Sequence, residues 1–315
     1  MCHGGADEKH HQFITWSKKD FHTRAPATLS LARSARIAET LKIADATKDA
    51  RCTVCHNPFQ AVPAERQGPL VGKLEGVSCE SCHNAAEPWL LTHTRTDLTH
   101  EQKVAAGLRD LKNLYVRANT CVACHQNLDP ELRAAGHPEL TFEMDGQSAT
   151  MPRHWTETNK LRGAQAWAVG QTVAAREGFA QAKNAKVPMD IYERASAIQL
   201  AAGLPTDPDP DTFARALAAK AWTQADVWEQ LRRLAASSES ISLGKAPPGE
   251  IVQRAERITL GLERLVVALN LQTTPALSAR LDALFKDIQS RPDFSPKQFA
   301  EHLQAFRIEL DKLPN

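Results

Sequence analysis

Three copies of one five-residue pattern constrain this chain more than any other feature: Cys52-Thr53-Val54-Cys55-His56, Cys79-Glu80-Ser81-Cys82-His83 and Cys121-Val122-Ala123-Cys124-His125. A C-x-x-C pair can hold zinc or act as a redox-active dithiol. Neither chemistry calls for a histidine directly after the second cysteine, and here one follows every time. C-x-x-C-H is the attachment pattern of c-type haem, in which two cysteines form thioethers to the vinyl groups and the adjoining histidine binds the iron. Cys52, Cys55, Cys79, Cys82, Cys121 and Cys124 therefore read as haem anchors, with His56, His83 and His125 as iron ligands.

Six of the seven cysteines lie in those motifs, and the seventh, Cys2, is followed at once by His3. That pair is either a chance Cys-His near a frayed end or the second half of a fourth motif. A leftover thiol in an exported protein would need its own explanation. The expectation is a fourth haem c on Cys2 with His3 as ligand, its motif missing the first cysteine or its haem held by one thioether.

Lys plus Arg (38) and Asp plus Glu (37) nearly cancel, leaving a formal charge of +1. With no long basic run, neither nucleic acid nor an anionic membrane is expected as a partner. No stretch approaches the roughly 18 apolar residues that a transmembrane helix needs. A signal peptide is not visible either. Because haem c is attached after export, a periplasmic or otherwise exported protein in mature or trimmed form is expected.

The ligand-type residues are unevenly spread. All seven cysteines and eleven of the twelve histidines precede residue 155, and only His302 follows it. The expected division is a multihaem cytochrome c domain over residues 1–155 and a helical bundle without haem motifs over 156–315. The fold class expected is mainly α: a haem-packed N-terminal domain with little regular sheet, then an antiparallel α-helical bundle.

In the first part, residues 8–21 carry Phe13, Ile14 and Trp16, and Leu31, Ile37, Leu41 and Ile43 mark a short amphipathic helix within 29–44. Pro58, Pro63, Gly68, Pro69, Gly72 and Gly76 make the next stretch loop-like. Residues 99–116, with Val104, Leu108, Leu111 and Tyr115 at helical spacing, predict the clearest helix of this half, leading into the third intact motif. Large apolar side chains are few here, so haem itself is expected to supply much of the core.

In the second part, helices are expected over 163–185, 188–202, 211–221 and 224–236, with a Pro-rich break at 204–210 and a polar loop at 237–248. Trp222 and Trp228 read as packing residues. Three apolar stripes follow: Ile251, Ala255, Ile258, Leu262, Leu265 and Leu269; Leu277, Leu281, Leu284 and Ile288; Phe299, Leu303, Phe306, Leu310 and Leu313. Short links, one with Ser295 as N-cap and Pro296 at the first helical position, argue for antiparallel helices. The stripes read as core, with a coiled-coil partner surface as the alternative.

The reactivity of each haem depends on what lies opposite the motif histidine. Two protein ligands saturate the iron, whereas an open position can bind and convert a small molecule. Eight histidines lie outside the four Cys-His pairs: His10, His11, His22, His93, His100, His137, His154 and His302. Met144 and Met151 are further candidates as thioether ligands, although methionine is commoner as packing.

Several short segments in residues 2–155 resemble the multihaem c-type cytochromes related to the tetrahaem electron carrier of nitrifying bacteria. Cys2-His3 followed by Trp16-Ser17 and His22 is similar to the family's opening motif. Gly76-Val77-Ser78-Cys79-Glu80-Ser81-Cys82-His83, with Trp89 and His93 behind it, resembles a typical family segment. So do Gly136-His137-Pro138-Glu139-Leu140-Thr141-Phe142-Glu143 and His154-Trp155. The resemblance implies His22, His93, His137 and His154 as the second iron ligands, without saying which serves which haem. His10 and His11 stand in reserve, and His100 reads as a surface residue.

The function expected is electron transfer by a multihaem, in all tetrahaem, c-type cytochrome with two histidines on each iron, working between a redox protein donor and acceptor rather than as an enzyme. An alternative is a haem enzyme acting on a small nitrogen or sulfur compound at one five-coordinate haem. Another is a subunit whose bundle docks it in a larger redox complex or stacks copies, as a homo-oligomer, into a haem wire.

Overall fold

The computed structural model describes residues 2–5, 7, 10–68, 75–126, 128–184, 195–196, 198–199, 203, 209–237 and 248–314. Among them the fold is mainly α, without strands. Most of the expected helix over 188–202, most of the break at 204–210 and most of the loop at 237–248 lie outside the described residues, as do Pro69 and Gly72. The chain packs as two compact units. One comprises 1–141 and 147–156; the other comprises 142–146 and 157–315.

The first unit is built from short helices: α1 (Gln12–Lys19), α2 (Ala25–Thr28), α3 (Ala32–Thr40), α4 (Ala50–His56), α5 (Cys79–His83), α6 (His100–Ala105), α7 (Leu114–His125) and α8 (Pro130–Ala134). Local chemistry sets many of their starts. Asp49, Asn113 and Asp129 accept backbone N–H groups at the N-termini of α4, α7 and α8, and Thr99 with Gln102 forms a capping box on α6. Small buried clusters such as Ala38, Ile43 and Ala46 stand where a large core would be.

One expected helix is corrected. Residues 99–116 are not continuous: α6 stops at Ala105, and α7 begins at Leu114. Gly107 takes φ +117°, a left-handed-side conformation that glycine adopts without a Cβ penalty. The apolar spacing of Leu108 and Leu111 misled because residues 106–113 serve tertiary hydrogen bonds. The Gly107 carbonyl accepts from Asn84 Nδ2, and Arg109 donates from its backbone to His83 O and from Nη1 to Ser81 O. The link thus closes the C-terminal end of α5, where a helix leaves carbonyls unsatisfied. The helix within 29–44 is also shorter than the apolar pattern, because Lys42 turns to φ 55° just after α3.

The second unit holds α10 (Arg162–Asn184), α11 (Pro210–Ala219), α12 (Gln224–Ala235), α13 (Pro248–Ala268), α14 (Pro275–Gln289) and α15 (Pro296–Leu310); α9 (Met144–Thr150) is divided between the units. α10 and α11 run antiparallel. Gln165 Nε2 donates to Leu217 O (2.8 Å) and Lys220 O (2.9 Å) at one end, and Arg176 Nη1 pairs with Asp211 Oδ1 (2.7 Å) nearer the other. α14 and α15 are likewise antiparallel, with Asp287 accepting from Gln298 Nε2 (2.8 Å) and facing His302 Nδ1 (2.7 Å). Ser295 caps α15 as its sequence suggests.

The apolar stripes lie inside this unit. Ala255, Ile258, Leu262 and Leu265 of α13, Leu277 and Leu284 of α14, and Phe299, Leu303, Phe306 and Leu310 of α15 are all buried. Gly261 lets Trp167 of α10 and Leu234 of α12 close on α13, and a Cβ there would meet Trp167 Cζ2 at 2.5 Å. Met144 is fully buried with its Cβ against Gly170, so it serves as packing.

Candidate haem-binding site

In C-x-x-C-H the reactive side chains stand at i, i+3 and i+4, the spacing that brings residues to one face of a helix. All three intact motifs are helical and end their helices: α4 closes at His56, α5 at His83 and α7 at His125. The Cys2-His3 pair differs. It lies outside any helix, and His3 has φ 47°.

Each motif histidine faces one of the histidines implied by the resemblance. Ring centres stand 5.9 Å apart for His3 and His93, 6.4 Å for His56 and His137, 6.2 Å for His83 and His154, and 6.0 Å for His125 and His22. Two imidazoles bound to one metal from opposite sides, each through a nitrogen at about 2 Å, have ring centres about 6 Å apart. His3 also has His10 at 5.9 Å, with parallel rings. Spacing along the sequence holds none of this pairing, because the partners come from distant segments.

The second nitrogen of most of these rings is occupied by protein. Nδ1 of His93 faces Leu90 O (2.6 Å), that of His137 faces Pro138 O (2.8 Å), and that of His22 faces Asp20 Oδ1 (2.9 Å). His56 Nδ1 meets Thr28 Oγ1 (2.9 Å) and Ala25 O (3.1 Å), and His125 Nδ1 lies 3.4 Å from Gln147 Nε2. An oxygen acceptor on Nδ1 fixes the tautomer and turns Nε2 outward, the arrangement typical of metal-bound histidines; the Gln147 amide nitrogen is a donor and does not do this for His125. His100 differs, because its Nε2 pairs with Asp110, while His302 Nδ1 pairs with Asp287 within the helical unit. His11 Nδ1 bonds to Asp7 O, and His10 pairs with the Asp7 carboxylate.

Burial governs the protonation of these groups. It pushes His83 down to about 4 and lowers His3, His56, His125 and His154 below the ordinary histidine value. The neutral imidazole so favoured is the form that binds metal. Burial alone would raise Asp20, yet hydrogen bonds from the His22 side chain and backbone outweigh it and hold that carboxyl below its usual range. The cysteine sites adjoin one another. Cys2 and Cys79 share a hydrogen bond, as do Cys55 and Cys124, while Cys82 lies within electrostatic range of Cys121 and Cys124. The hydrogen bonds raise Cys55 and Cys79, and burial pushes Cys121 up to about 12.

Other atoms also fit an acidic, largely apolar prosthetic group. Trp89 Nε1, Trp155 Nε1 and Ser81 Oγ are buried without a hydrogen-bond partner. Each orphan costs about 1–3 kcal/mol, and both tryptophans lie beside candidate ligands, with ring centres 5.3 Å from His93 and from His154. Haem carries two carboxylates that such donors can satisfy.

The segments of the resemblance are tied together. Trp16 Nε1 donates to Val77 O (3.0 Å), and Val77 N donates to His22 O (3.1 Å). Gly76 takes φ +75°, and a Cβ there would meet His22 O at 2.5 Å. The glycine therefore allows the stretch before α5 to run against the His22 segment. Sequence reasoning missed Asp20, Thr28, Gln147 and Arg109. Only Asp20 left a readable signal, an acid two residues before a candidate ligand.

No curated protein and no solved structure matches the chain. The family described as cytochrome c554 and c-prime matches residues 1–84. Over that segment, which contains Cys2-His3 and two intact C-x-x-C-H motifs, the chain is similar to c-type cytochromes and resembles the tetrahaem family of nitrifying bacteria.

Proposed function

We propose that this protein is an exported tetrahaem c-type cytochrome that carries electrons between redox proteins, with two histidine ligands on every iron. The observation that carries the reading is the set of four histidine pairs at 5.9–6.4 Å. Cys2 anchors one haem between His3 and His93; Cys52 and Cys55 anchor another between His56 and His137. Cys79 and Cys82 serve His83 and His154, and Cys121 and Cys124 serve His125 and His22. When bound, haem c supplies a one-electron ferric–ferrous couple.

The chain's own residues do the rest. Each imidazole pair would supply two protein ligands to one haem and leave no position for a small molecule, which favours transfer over conversion of a substrate. The Nδ1 partners hold the rings in place through the redox change and so limit reorganisation. Proximity among the thiols supports a spatial order of sites running from Cys2 to Cys79/Cys82, then Cys121/Cys124, then Cys52/Cys55. Haems held in that order would supply neighbouring one-electron couples between which electrons could pass. Residues 156–315, which carry no haem motif, are the docking or scaffolding part.

The test is the optical spectrum of the reduced holoprotein before and after carbon monoxide, with ferric spin state and intact mass on the same sample. Four haems by mass, low-spin iron throughout and no carbon monoxide shift are expected. A shift of one haem with a matching high-spin signal overturns the closed ligand set and favours the small-molecule enzyme.

A further inference from the structure

Of the four histidines proposed above as second ligands, His22 has a carboxylate at its ring nitrogen. Its counterparts His93 and His137 face the carbonyl oxygens of Leu90 and Pro138, and His154 has a backbone hydrogen bond at Pro152. Asp20 is buried, with only 6% of its surface exposed. Its Oδ1 accepts from His22 N (3.0 Å) and faces His22 Nδ1 (2.9 Å). Two N–H donors on one carboxylate oxygen favour the ionised form. The same carboxylate is within electrostatic range of His154 and of Cys82, which belong to the adjoining site.

We infer that Asp20 is a redox-tuning residue: its carboxylate, acting through His22, depresses the reduction potential of the haem on Cys121 and Cys124, and acts more weakly through space on the haem of Cys79 and Cys82. A negative acceptor draws the Nδ1 proton and makes the imidazole a more electron-rich ligand, as second-layer carboxylates do at metal sites. That stabilises the ferric state over the ferrous one. Burial keeps water from screening the charge. A neutral carbonyl acceptor orients a ring equally well but lacks the full charge. A hydrogen bond to a charged partner is roughly twice as strong as a neutral one. Asp20 also caps the turn that carries His22, by accepting the His22 backbone N–H. The residue therefore couples the position of the ligand to its electronic character.

This inference rests on the ligand assignment proposed above, so its experiment separates the two. Asp20→Asn keeps the shape and an oxygen acceptor while removing the charge. In a spectroelectrochemical titration of the holoprotein followed by electron paramagnetic resonance, the reduction equilibrium of one haem should shift at least tenfold toward ferrous, 59 mV for one electron. A second haem should shift less, two should not move, and all four should remain low-spin. Asp20→Glu should restore part of the shift. His22→Ala identifies the haem, by turning the same signal high-spin. Unchanged potentials in a fully low-spin Asp20→Asn protein would overturn the tuning role and leave Asp20 a turn cap. A high-spin signal in Asp20→Asn would overturn it in favour of simple positioning. If His22→Ala leaves every haem low-spin, the ligand assignment itself fails.

Discussion

His56 and His137 face each other with ring centres 6.4 Å apart and planes at 64°. One closes α4, and the other follows α8 at Gly136, a glycine with φ +103°. Each is held at Nδ1 by a neighbouring oxygen, His56 by Thr28 and Ala25 and His137 by Pro138. Both rings are thus oriented without using the nitrogen needed for iron.

Replacing His137 by Ala should open one axial position while leaving its haem covalently attached through Cys52 and Cys55. The reduced protein should then bind one carbon monoxide per molecule, with about a quarter of the haem changing its optical signature. A ferric high-spin signal of matching size is expected. An unaltered spectrum would assign His137 to another role.

Cys2 should carry one haem. Cys2→Ser should lower the intact mass of the denatured protein by one haem and leave the three C-x-x-C-H haems in place. If the mass does not change, Cys2 is not an attachment point.

Glu143 is buried in the second unit, and burial pushes its carboxyl up to about 7 from 4.5, against the opposing pull of Arg264. A raised acid binds its proton more tightly in the folded than in the unfolded state. Its contribution to stability is therefore present below about pH 4.5 and is lost as pH rises through about 7, by at most about 3 kcal/mol. Glu143→Gln should remove this slope. Denaturant titrations followed by far-ultraviolet circular dichroism should find the variant gaining on the wild type between pH 5 and 7.5. A constant difference would place the ionisation elsewhere.

Gly261→Ala should destabilise the helical unit by about 1–3 kcal/mol, because a Cβ would press on Trp167 and Leu234, both packed on α13. Val267→Ala, at a half-exposed position on the same helix, should stay within about 0.5 kcal/mol. Equal effects from both would mean that Gly261 does not mark a tight contact.

Much of the helical unit was legible in the sequence, because its helices bury apolar stripes whose period is local. α10, α12, α14 and α15 begin or end within a few residues of the expected positions. In the first unit periodicity misled at residues 99–116, where Gly107 and Arg109 leave the helix to close the end of α5. A helical pattern does not reveal that a distant helix end needs hydrogen-bond partners.

The sequence by itself carried the pattern that points to haem attachment, because C-x-x-C-H places three reactive side chains on one face of a single helical turn. A resemblance added His22, His93, His137 and His154 as candidates, without partners. Only the tertiary structure decided which ring faces which, since His83 meets His154 and His125 meets His22 across segments far apart in the chain. It alone also brought Asp20 into the low-exposure surroundings that make its charge count. The reason is physical: covalent attachment depends on neighbours along the backbone, whereas ligand pairing and electrostatic tuning depend on distances and burial that exist only once the chain has folded.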